Sequence, residues 1–133
     1  MGSTETLTVA RRYVDAIAAK DFAALDGLFA EDIVWHQPGN NQLSGTHRGA
    51  VAVKEVMGRT MAISEETFEL AATGAPMVNG AMFALPVHFS AKRQGAELSM
   101  DGVDVLRVEG GRIAEVWLFS DVQEDEDSFW NGN

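Results

Sequence analysis

Apolar residues recur at a helical spacing in the first part of the chain and alternate with polar ones in the second. Ala10, Tyr13, Val14, Ile17 and Ala18 fall at i, i+3, i+4, i+7 and i+8, the stripe of a helix that buries one face. Thr4 or Thr6 can cap it. Asp21 reads as the N-cap of a short second helix whose inner face is Phe22, Leu25, Leu28 and Phe29. A short strand, Ile33 to Gln37, stops at Pro38-Gly39, and a run of turn formers follows from Asn40 to Gly49. The third helix spans about Ala50 to Ile63, with Val53, Val56, Met57, Thr60 and Met61 inward. Four strands come next: Phe68 to Thr73, Ala81 to Ala91, Ala96 to Val108 and Arg112 to Ser120. The turn signals between them are Val78-Asn79-Gly80, Gln94-Gly95 and Glu109-Gly110-Gly111, and such short turns imply antiparallel neighbours. Helices ahead of an antiparallel sheet make an α+β domain. The expected form is a cone-shaped barrel: a curved antiparallel sheet against three N-terminal helices, enclosing a pocket.

At 133 residues the chain is expected to be one domain, residues 1–133, with a core of its own. Twenty acidic residues against ten basic ones give a net charge of −10, which argues against nucleic acid and anionic membranes as partners. Five of the acids crowd into the segment from Asp121 to Asp127, which reads as a solvated tail. The chain has no cysteine, so thiol nucleophiles and disulfides are excluded. Neither a signal peptide nor a membrane-length apolar run is visible, and the expected location is cytoplasmic.

One residue breaks the apolar pattern. Asp104 lies mid-strand in Gly102-Val103-Asp104-Val105-Leu106-Arg107-Val108 and shares a face with Leu106 and Val108. Burial among such neighbours disfavours its charged form and raises its pKa, so it can donate a hydrogen bond to a developing oxyanion. The competing reading is a structural Asp paired with Arg107. Tyr13, the only tyrosine, sits on the buried stripe of the first helix, either as a core residue or as a second donor to the same oxygen. His36 stands where the first strand meets the loop and suits proton transfer near neutral pH. His36, His47 and His88 show no metal-ligand spacing, so no metal is expected. On the final strand, Ala114, Val116, Leu118 and Ser120 suit an apolar pocket wall. Ile113, Glu115, Trp117, Phe119 and Asp121 fall on the opposite face, which a partner subunit or Phe129-Trp130 could cover.

Arg12-Tyr13-Val14, Leu28-Phe29-Ala30-Glu31-Asp32, Ser44-Gly45-Thr46 and Val103 to Val108 together resemble the nuclear-transport-factor-2-like superfamily. Within it the chain is similar to the ketosteroid isomerases and the SnoaL-like polyketide cyclases. The resemblance implies a homodimer and an enzyme without cofactor, acting through an enolate on a small hydrophobic carbonyl compound. Tyr13 matches the isomerases' oxyanion-hole tyrosine. Asp104 matches their protonated aspartic acid, a carboxylic acid kept neutral by its apolar site. The isomerases' base falls on Gln37, an amide that cannot take up a proton at useful pH. The cyclases' catalytic aspartate falls on Asp121, which makes Asp121 and His36 the candidate bases. Trp35, Gln37, Val116 and Leu118 are the expected substrate wall. Loss of the family base keeps a second reading open, a non-catalytic module that binds a small molecule or a partner protein.

Overall fold

Residues 2–131 are described by the computed structural model. Helix α1 (Gly2–Ala19) begins before both expected caps, so Thr6 lies inside it, buried, its hydroxyl donating to the carbonyl of Gly80 at 2.8 Å. Its stripe of Val9, Ala10, Tyr13, Ala16 and Ile17 enters the core. Asp21 caps α2 (Phe22–Leu28) by accepting from the Ala24 N–H at 3.0 Å. That helix ends one residue sooner than its apolar face suggests. Phe29 is already extended and opens β1 (Phe29–Gln37), while Phe22 is left exposed. The turn-former segment contains β2 (Gly45–Arg48), and α3 (Ala50–Ile63) follows with Val53 and Val56 buried.

The sheet is completed by β3 (Glu69–Ala72), β4 (Met77–Asn79), β5 (Met82–Arg93), β6 (Ala96–Glu109) and β7 (Arg112–Ser120). Its order is β2-β1-β7-β6-β5-β3, with β4 also paired to β5. Three features depart from the sequence expectation. The seven-stranded sheet curves but does not close into a barrel. The β1–β7 pair is parallel, with Trp35 beside Val116 and His36 beside Trp117, although every other pair is antiparallel. The acidic segment is no solvated tail: Gln123–Asn131 forms a fourth helix, α4. Glu126, Phe129 and Trp130 are its buried residues, at i, i+3 and i+4.

A bulge between β6 and β7 also changes the faces of the last strand. Arg107 stands opposite Glu115 but Val108 opposite Ile113, so Ala114 is the extra residue. Ile113 therefore turns into the core, fully buried, instead of lying outward with Trp117 and Phe119. No helix among the described residues is long and apolar enough to cross a membrane.

Candidate active site

Asp104 is placed by the two longest strands and their neighbour. It faces Leu85 of β5 and Leu118 of β7 across the ladder, and its even-numbered neighbours Leu106 and Val108 are buried on the same side. From the opposite wall, α1 lowers Tyr13 edge-on against Phe83, with ring centroids 6.0 Å apart. The two polar groups meet: Tyr13 Oη donates to Asp104 Oδ2 at 2.9 Å, both residues being buried. Burial pushes the Asp104 carboxyl up to about 7, against the hydrogen bond from Tyr13, which pulls it down. Burial, and secondarily the neighbouring carboxylate, raises the Tyr13 phenol well above its usual value. Near neutral pH the pair therefore holds one labile proton on Asp104. When that proton is present the polarity of the bond can reverse, which frees the Tyr13 O–H for another acceptor.

Both residues line a cavity of about 640 Å³, bounded by α1, α2, α3, the inner sheet face and α4. That volume lies within the range of small-molecule sites. Ala16, Ile17, Leu25, Val56 and Met57 make its apolar wall. Trp35, Gln37 and Leu118 also line it. The Trp35 indole N–H donates to Gln37 Oε1 at 2.9 Å, which fixes the amide orientation and leaves the Gln37 NH₂ as the donor it can offer a ligand. Val116 faces the same side but is packed into the core below the cavity rather than lining it.

His36 and Asp121 lie elsewhere. Strand alternation turns Ile33, Trp35 and Gln37 inward and His36 outward, where it stacks on Trp117 with ring centroids 5.5 Å apart. Its Nε2 is 2.7 Å from Glu115 Oε2. The hydrogen bond with His36 holds Glu115 below the usual carboxylate range, against partial burial and with Arg107 adding to the effect. The sheet therefore separates the His36 ring from the Tyr13–Asp104 pair. Asp121 is the first residue past β7, exposed, with its backbone N–H bonded to Asp101 and its side chain outside the cavity. Arg107 also faces outward, toward Glu109 and Glu115, so Asp104 has no ion-pair partner there.

One cavity residue was missed by the sequence reading. Glu126 of α4 is buried and reaches the cavity wall. Its Oε1 lies 2.6 Å from Ser120 Oγ and 3.1 Å from Gln123 Nε2, while Oε2 accepts from Trp130 Nε1 at 3.0 Å. The helical spacing of Glu126, Phe129 and Trp130 was the signal that could have found it. Among the described residues, no group of three or more His, Cys, Asp or Glu is arranged to hold a metal ion.

The sequence profile of the SnoaL-like domain matches residues 10–116. A Xanthomonas campestris protein of unknown function with a cystatin-like fold is 42% identical, over 95% of this chain and 98% of its own, with a TM-score of 0.89. Bal32a, from a soil-derived mobile gene cassette, is 23% identical over 98% and 99% of the two chains, with a TM-score of 0.88. A candidate polyketide cyclase from X. campestris is 18% identical over 93% and 96%, with a TM-score of 0.72. The last two likenesses are to the fold. No curated protein matches the chain.

Proposed function

The chain belongs to the SnoaL-like domain family, and from that premise we propose that it is a cofactor-independent enzyme acting on a hydrophobic carbonyl compound through an enol or enolate. The observation that carries this reading is the buried Tyr13–Asp104 pair at the wall of a mostly apolar cavity. A ketone oxygen entering there displaces one of two groups that now satisfy each other. It accepts from the Tyr13 O–H while protonated Asp104 supports Tyr13 from behind or donates directly. Charge that builds on the oxygen during enolisation meets fixed donors in a site shielded from water, and such donors contribute roughly 3–4 kcal/mol each. Isomerisation and intramolecular aldol cyclisation both use this step, and the fold neighbour described as a candidate polyketide cyclase is consistent with the second.

The test requires no knowledge of the natural substrate. The bicyclic ketone 2-tetralone in D₂O reports enolisation by loss of its α-proton NMR signals. The unmodified protein should exceed the buffer rate, and Tyr13→Phe should lower the excess by about 10²–10³-fold, the usual effect of removing one such donor. The Tyr13-dependent part should decline above pH 7, where Asp104 loses its proton. Binding of the ketone without any exchange would instead favour a non-catalytic small-molecule carrier. Gln37 at the position of the isomerase base is the observation on that side. For assembly we propose a homodimer built on the outer sheet face, where Phe119 is 58% and its cross-strand neighbour Val103 37% exposed.

A further inference from the structure

We infer that Glu126 of α4 is the proton-transferring base of this cavity, taking over the task that Gln37 cannot perform; the inference rests on the enolate reading above. Enolisation needs an acceptor for the α-proton as well as a partner for the oxygen. Besides Asp104, the carboxylates along the cavity are Asp21, Glu66, Glu69, Glu97 and Glu126. The first four are exposed at its rim, and Asp21 is already committed as a helix cap. Glu126 alone among them is buried, at 5% exposure.

Its position relative to the oxygen site follows from the strand register. Asp104 stands opposite Leu118, and Ser120 is the next residue of β7 on that same face. Two residues of strand span roughly 7 Å, and Ser120 Oγ touches Glu126 Oε1. Combined with the step of about 5 Å between neighbouring strands, this sets the carboxylate roughly 8 Å or more from Asp104, along the wall that a flat ligand would cover.

A purely structural role is the competing account, since Glu126 ties α4 to β7 through Ser120 and to Trp130. An amide there would still accept from Trp130 Nε1 and could donate to Ser120 Oγ, leaving Gln123 Nε2 its bond to Asp127 Oδ1, and would avoid a carboxylate's desolvation, which costs several kcal/mol in a protein interior. What an amide cannot do is take a proton. In the proposed step Glu126 accepts the α-proton and the C–H electron pair becomes the enol double bond. The carbonyl π pair moves to the oxygen, which Tyr13 holds. Return of the proton to the same carbon gives exchange, and return to a different carbon gives isomerisation. Attack of the enolate carbon on a second carbonyl of the same molecule gives cyclisation.

The match to the family profile covers residues 10–116, so this base would lie on a segment beyond the matched residues. Glu126→Gln preserves the shape and the acceptor for Trp130. It should slow 2-tetralone exchange by at least about 100-fold, the lower range for loss of a general base. Affinity for 2-naphthol, a planar enol analogue, should stay within about threefold. Glu126→Ala should be equally slow and recover with added formate in proportion to its concentration, a rescue that a structural latch would not show. If Glu126→Gln does not fold, the formate response of Glu126→Ala decides, with Glu126→Asp expected to keep part of the rate. Undiminished exchange in Glu126→Gln, with the dependence on Tyr13 intact, overturns the assignment alone. Exchange in the unmodified protein no faster than buffer overturns the enolate reading and this assignment with it.

Discussion

Replacing Asp104 by Asn separates the stability of this protein from its proposed chemistry. Asparagine has the shape of the protonated carboxyl: its Oδ1 accepts from Tyr13 as Oδ2 now does, and its NH₂ stands where the acid proton would. Asp104 rises from 3.8 to about 7 on folding, chiefly through burial. The native state therefore binds more protons than the unfolded chain between those values, so this group's contribution falls as pH rises through that window. Below pH 4 both states are protonated and the contribution vanishes. Above pH 7 the full penalty of roughly 4 kcal/mol applies, since each of about three pH units is worth about 1.4 kcal/mol. The assay is urea unfolding of both proteins at half-unit steps from pH 4 to 8.5. Their difference should grow by about 1.4 kcal/mol per pH unit up to pH 7 and then level off, with the Asn variant the more stable. Titrations common to both proteins cancel in that difference. A gap that stays flat across the range would show that Asp104 is ionised throughout in the folded protein, and its role as an oxyanion donor would fall with it.

Two further outcomes are expected. The unmodified protein should sediment as a dimer that buries more than ~1,000 Å² in total, and Phe119→Lys should convert it to a monomer; a monomer at micromolar concentration in the unmodified protein contradicts the outer-face interface. Gly39→Ala should cost at least about 1–2 kcal/mol in urea unfolding, because the backbone there has φ +87° and a Cβ would overlap Asp127 Oδ1 and Gln123 Nε2 of α4. An unchanged midpoint would mean that the loop and the Asp127 and Gln123 side chains relax around the added Cβ.

Most of the architecture was legible because period and punctuation agreed. The stripe of α1, the inner face of α3 and the glycine-bearing turns around β5, β6 and β7 each state one local answer. The misreadings share a cause: a local rule was overruled by a partner distant in the chain. Phe29 completes the apolar face of α2, yet it pairs with Ile113 in the sheet. Ile113 falls on the outer parity of β7 until the bulge at Ala114 shifts it. Strand alternation cannot reveal that β1 runs parallel to β7. At the site, parity was enough to bring Trp35, Gln37, Asp104 and Leu118 to one face. Applied from Ile33, the same parity turns His36 away. Glu126 stayed hidden because a run of acids reads as solvent-facing, whereas Phe129 and Trp130 one helical turn later draw the carboxylate inward.

The parallel seam between β1 and β7 also constrains the order in which the molecule can assemble. His36 and Glu115, bonded across it, stand 79 positions apart in the chain, and Tyr13 and Asp104 stand 91 apart. Contacts this distant close late and slowly, because the loop entropy is lost before they form. During synthesis β1 emerges with β2 available on one edge, and its other edge has no neighbour until β7 follows. Throughout that interval Ile33 and Trp35 border an open hydrogen-bonding strand, the kind of template on which nascent chains pair with one another. The seam that completes the sheet in the finished protein is therefore also the last edge of β1 to be covered, and slowing translation between β1 and β7 should lengthen that exposure.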